Sequence, residues 1–178
     1  IRDPVQMVGF AAAPASLMRR PPRGFQRTAA HPEVTVYLVQ LILELGGEVV
    51  VDELREVALK ALRRAGSVIW FDFATLCGGP RSQNDYLEIA SRFHTVILSG
   101  IPAMSVAQSS EARRFTWLID VLYDRRVKLI ISAAVPAEAL YTEGPLAHEF
   151  PRTISRLHEM QSAQFLALAR RDVDTSLT

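Results

Sequence analysis

Arginine is the residue type that carries the most chemical promise in this chain, because its planar, permanently charged fork matches phosphate geometry. Arg152 and Arg156 stand four apart and so project from one face of the helix expected near the end of the chain. They could meet nucleotide phosphate or a neighbouring subunit, or form a solvated, salt-bridged helical face. Arg113 and Arg114 open their own helix, where cations oppose the helix dipole, which suggests a specific partner such as Glu111 or Asp120. Arg81 sits in Gly78-Gly79-Pro80-Arg81-Ser82, just before a helix N-terminus that could attract an anion. Pro80 lacks an N–H, however, so an ordinary turn and cap is the simpler reading. Ser132, at a strand end, could touch phosphate or water, or simply bond backbone.

Other chemistries find little support. A phosphate-cradling G-x-x-x-x-G-K-[ST] loop needs a lysine after its second glycine, and none of these 178 residues supplies one in that setting. The four histidines, His31, His94, His148 and His158, show no i, i+4 pairing, so no metal site is expected. No G-x-S-x-G elbow recommends a serine nucleophile. No metal-holding carboxylate is expected at the strand ends Ser99-Gly100-Ile101-Pro102 and Ser132-Ala133-Ala134-Val135-Pro136. No catalytic residue is therefore assigned within this chain.

The elements that must position these residues are clearest in the second half. Ser82 and Asp85 form a capping-box pattern, and Tyr86, Ile89, Ala90 and Phe93 repeat at helical spacing up to about Arg92. Thr95 to Ile101 is an apolar run bounded by Gly100 and Pro102 that suits a buried strand. A second helix starts at Ser110, buries Phe115, Leu118, Ile119 and Leu122, and carries Arg125 and Arg126 in its last turn. Val127 to Val135 is the next strand, so strand, helix and strand form a βαβ unit with parallel pairing. A third helix is expected from about Pro151 to Ala169, with an apolar stripe of Ile154, Leu157 and Phe165.

The first half reads less plainly. Residues 1 to 47 form an irregular, proline-rich arm plus an unassigned apolar segment, Val34 to Leu45, ended by Gly46 and Gly47. Arg55 to Arg64 favours helix by propensity, whereas Ser67 to Phe73 favours strand. Residues 48–178 form the single α/β domain.

Composition bounds the partners. Hydrophobic residues make up 49% and charged residues 22%, as in soluble globular proteins. A net charge of +1 gives no reason to expect nucleic acid. The single cysteine, Cys77, excludes an internal disulfide and reads as a small buried hydrophobe. With neither a transmembrane run nor a secretory signal in the sequence, the cytoplasm is the expected location. The chain opens with Ile1 and is read as a fragment of a longer protein.

A wider pattern joins these pieces: Phe71-Asp72-Phe73, Leu76-Cys77, Arg81-Ser82-Gln83-Asn84-Asp85-Tyr86, and Phe93-His94-Thr95-Val96. It continues through Glu111-Ala112-Arg113-Arg114-Phe115, Val127-Lys128-Leu129, Ser132-Ala133, Leu140-Tyr141, Glu149-Phe150, Ser155-Arg156-Leu157 and Glu159-Met160-Gln161-Ser162. Over about residues 66–168 the chain resembles the ZapE family of AAA-like P-loop ATPases, which has mitochondrial AFG-like relatives. The resemblance implies ATP hydrolysis with ATP and Mg2+ in the intact protein and a role in bacterial cell division. It also implies that the phosphate loop and acidic magnesium strand lie upstream of the matched part. The expected partners are therefore the missing N-terminal ATPase core, further copies of the chain, and cell-division proteins; a stand-alone interaction module or an inactive remnant is the alternative. The same resemblance implies a β-hairpin over Arg55 to Phe73. Gly100 and Pro151 depart from the family pattern.

Overall fold

The computed structural model describes residues 53–54 and 59–171. The arm and apolar segment assigned to residues 1–47 lie outside the described residues, as does the chain beyond Arg171.

Short strands β1 (Glu53–Leu54) and β2 (Leu59–Lys60) pair antiparallel. Next, β3 (Arg63–Ala65) turns through Gly66 and Ser67 into β4 (Val68–Asp72), pairing Arg63 with Trp70 and Ala65 with Val68. Gly66 takes φ +53°, the left-handed conformation that a two-residue hairpin loop demands of its first position. The hairpin is thus present over residues 63–72, and among the described residues the helix that propensity favours over Arg55 to Arg64 is not; residues 55–58 lie outside them. Cross-strand pairing outweighs a propensity difference of a few tenths of a kcal/mol, roughly, per residue. Arg64 reinforces the strand by placing its guanidinium 5.2 Å from the Phe93 ring centroid.

From β4 the chain passes through a π-helical turn (Ala74–Gly78) into α1 (Gln83–Arg92). The Asp85 carboxylate accepts from the Ser82 N–H at 2.8 Å, closing the capping box that the sequence signalled. Next come β5 (Thr95–Ile101), α2 (Ser109–Asp124) and β6 (Lys128–Ala133). Strand order is β3-β4-β5-β6, with β4, β5 and β6 parallel and β3 an antiparallel edge. Two βαβ crossovers therefore share β5, one more than the sequence pattern alone indicated.

The last helical region is two helices, α3 (Phe150–Met160) and α4 (Ala163–Ala167), rather than one. Ser162 breaks it: its hydroxyl accepts from the Phe165 N–H at 3.1 Å and caps α4. Arg125 and Arg126 fall just past α2, not in its last turn; Arg125 is the C-cap and Arg126 has φ +57°.

The sheet has two unlike faces. Ile69, Phe71, Val96, Leu98, Leu129 and Ile131 join the helices in one buried core with Tyr86, Ile89, Phe115, Leu118 and Phe150. Trp70, Ile97 and Ile130 are also buried, aligned by the parallel register on the opposite face and outside that core. Alternation along each strand makes this unavoidable, since neighbouring residues point to opposite sides.

Candidate functional site

The π-helical turn after β4 is fastened from three directions. The Asp72 carboxylate accepts from the Thr75 N–H at 2.6 Å, tying the turn to the end of β4. The Tyr86 hydroxyl donates to the Leu76 carbonyl at 2.8 Å, tying it to α1. Arg114 Nε donates to the Cys77 carbonyl at 2.6 Å, tying it to the first half of α2.

These ties bring the loop carrying Arg81 against the start of α2. Between them lies a cavity of about 480 Å3. Its wall includes Arg81, Arg113 and Arg114, with Ser109 and Ser110 from the first turn of α2 and Trp117 about two turns further on. Arg114 is anchored by Cys77 and lies 3.9 Å from Glu111, the acid in that first turn. The expectation that these arginines require a partner is thus met for Arg114 by Glu111. Among the described residues neither Arg81 nor Arg113 has a hydrogen-bond or ion-pair partner, and Arg81 Nε is buried without an acceptor. Two uncompensated guanidinium charges therefore lie near the positive end of the α2 dipole, a region that attracts anions.

Neither of the two ionisable groups beneath this cavity is a reactive one. Burial pushes the Cys77 thiol up to about 12, outweighing its hydrogen bond with Tyr86 and the nearby Arg114 charge. Burial likewise raises the Tyr86 phenol well above its usual range. Both stay protonated at neutral pH and serve packing.

The other arginine candidates lie elsewhere. Arg156 reaches from α3 to the Asp120 carboxylate on α2, lies 3.7 Å from Asp124, and places its guanidinium 4.9 Å from the Tyr123 ring centroid. Its charge is thus engaged within the fold, and Asp120 is taken by Arg156 rather than by Arg113 or Arg114. Arg152 is exposed on α3 with no ion-pair partner among the described residues. The Ser132 hydroxyl accepts from the Gly100 N–H at 3.2 Å, where β5 bulges and Gly100 takes φ +74°. Gly100 thus supplies the left-handed backbone the bulge requires.

One residue at the strand ends escaped the sequence reading. Because β4 is a third parallel strand, its carboxyl end brings Asp72 into register with Ser99. A carboxylate therefore stands on the edge where ligands of parallel sheets gather, on a strand end other than the two considered from the sequence. The signal was present in the Phe-Asp-Phe run, but only the sheet order reveals its position.

ATP hydrolysis would require a magnesium site, and among the described residues no set of donors fits one. Asp72 spends one oxygen on Thr75, and among the described residues no three His, Cys, Asp or Glu side chains converge. Ser99 is committed as well, accepting from the Trp70 indole N–H at 2.8 Å. No catalytic step can be assigned to these groups. Among the described residues no helix is long and apolar enough to cross a membrane.

Comparison with known proteins gives this geometry a context. The chain is 49% identical over 94 residues to cell division protein ZapE of Escherichia coli K12, covering 53% of this chain and 25% of that protein. It is 45% identical over 83 residues to an uncharacterized protein of Schizosaccharomyces pombe, covering 47% of this chain and 18% of that one. Lactation elevated protein 1 homolog B of Danio rerio is 33% identical over 143 residues, covering 62% of this chain and 28% of the zebrafish protein. The matches thus span about a quarter of the length of these curated relatives. No solved structure matches. The sequence model of the AFG1-like ATPases matches residues 23–169, most of the chain, and the chain therefore belongs to the AFG1-like ATPase family.

Proposed function

We propose that this chain is the C-terminal part of a ZapE-type ATP hydrolase that acts in bacterial cell division in the cytoplasm. The observation that carries this reading is the family match over residues 23–169, joined to a 49% identical stretch of a protein named for cell division. In the intact protein, ATP and magnesium are held by the upstream core. The part described above packs against that core and offers arginines, Arg152 foremost, to a nucleotide or a neighbouring copy at a subunit boundary.

On this reading the 178-residue chain alone turns over no ATP. Phosphate release is measured with and without magnesium, for this chain and for the full-length parent. Magnesium-dependent release by the parent alone is expected. Turnover by the 178-residue chain would overturn the proposal, as would a parent that neither binds nor hydrolyses ATP.

A further inference from the structure

We infer that the cavity between the Arg81 loop and the start of α2 binds the phosphate group of a small phosphorylated molecule. This inference goes beyond the ATPase reading and does not depend on it. Three guanidinium-bearing residues, Arg81, Arg113 and Arg114, line one cavity. Like charges gathered beside a positive helix end repel one another, and a fold gains nothing by this unless an anion joins them. Arg114 is held in place by the Cys77 carbonyl, with Glu111 a loose 3.9 Å away, so one fork is already positioned. Arg81 and Arg113 have no hydrogen-bond or ion-pair partner among the described residues. Arg81 Nε is buried without an acceptor, so the Arg81 charge is not met from within the fold.

The choice of phosphate over carboxylate follows from charge. One acid, Glu111, already stands among three arginines, leaving two positive charges to be met, and a phosphate ester near neutral pH carries ~1.5 to 2 negative charges. The Ser110 hydroxyl on the wall adds a neutral donor. The cavity, at about 480 Å3, has the size of a small-ligand site rather than of a bare ion. Trp117, Pro145 and Leu146 form its apolar wall, against which the rest of the ligand lies.

The test is calorimetric titration of the 178-residue chain with phenyl phosphate and with inorganic phosphate, against sodium chloride at matched ionic strength. Trp117 fluorescence serves as a second readout. Saturable binding is expected, tighter for phenyl phosphate than for inorganic phosphate because of the apolar wall. Arg81→Ala and Arg113→Ala should each weaken it ~10-fold, the effect of one charge-assisted contact. Arg171→Ala, an exposed arginine whose backbone sits at the opposite end of α2, should leave it unchanged. Arg113 is exposed, so its replacement leaves the fold intact, and thermal melting of each variant checks this directly. Binding absent in the folded chain, equal losses in all three variants, or phenyl phosphate no tighter than inorganic phosphate would each overturn the inference.

Discussion

The Tyr86 hydroxyl donates to the Leu76 carbonyl at 2.8 Å across a fully buried contact, joining α1 to the turn that follows β4. That turn carries the approach to the arginine-lined cavity, so the bond has a positional as well as an energetic role. Tyr86→Phe keeps the ring but leaves the Leu76 carbonyl buried without its donor. The expected loss is about 1–3 kcal/mol, the cost of an unsatisfied buried acceptor. Urea unfolding of the variant against the parent chain measures it; an unchanged midpoint would show that the carbonyl finds another partner.

The buried thiol beside this bond predicts alkaline sensitivity. Burial raises the Cys77 pKa from 9.0 to about 12 in the folded chain. A raised folded pKa means its contribution is fully present below pH 9 and is lost as pH rises toward 12. Between those limits stability should fall by roughly 1.4 kcal/mol per pH unit for this group. Tyr86, also raised by burial, steepens the fall once the pH passes the ordinary phenol range. Cys77→Ala should remove the first part of the decline and leave the second. A stability profile flat from pH 8 to pH 11, on the order of three pH units, contradicts this linkage.

How far sequence could go is clear from particular residues. Tyr86, Ile89, Ala90 and Phe93 were readable as one buried face because their spacing is local, and all four are essentially inaccessible. The same holds for Phe115, Leu118, Ile119 and Leu122. By contrast, the fate of Arg64 depends on Ile69 across a hairpin and on the Phe93 ring, contacts that residue propensity does not encode. The stripe through Leu157 and Phe165 suggested one helix because both are buried, yet Ser162 interrupts it by capping its own short helix. At the candidate site, Arg81 and Arg113 were each recognisable as anion-seeking residues. Their meeting at one cavity was not, because it depends on the packing of α1 and α2 around the Leu76–Cys77 turn.

Arg126 predicts an unusual gain. α2 ends in a Schellman arrangement: the Val127 N–H bonds the Leu122 carbonyl at 2.9 Å and the Arg126 N–H bonds the Tyr123 carbonyl at 3.0 Å. Glycine is the ordinary occupant of the left-handed position, yet here it is Arg126 at φ +57°. Arg126→Gly should therefore stabilise the chain by about 1 kcal/mol through relief of Cβ crowding. It also removes a positive charge that, together with burial, lowers the Lys128 pKa. Arg126→Ala keeps the Cβ and should bring little of the gain. Equal melting temperatures for the glycine and alanine variants would place the effect in charge rather than backbone.

Gly144, which precedes the part of the cavity wall formed by Pro145 and Leu146, and Tyr141 predict coupled variants. The Tyr141 hydroxyl is buried with no hydrogen-bond partner, and a Cβ added at Gly144 would run into it. Gly144 also takes φ +115°, where side chains are strained whatever space is free. Gly144→Ala should therefore cost about 2 kcal/mol or more, combining a clash with backbone strain. Tyr141→Phe alone should be neutral or stabilising by about 1 kcal/mol, because it removes an unsatisfied buried group. In the double variant the hydroxyl clash is gone, but the ring carbon remains 3.0 Å from the new Cβ and the φ penalty persists. The pair should thus recover part of the alanine cost, giving a coupling energy of about 0.5–1.5 kcal/mol in a double-mutant cycle. Strict additivity would mean that the alanine is accommodated by moving the Pro145–Leu146 segment instead. That movement would deform the cavity wall and weaken phenyl phosphate binding, which separates the two accounts in one set of titrations.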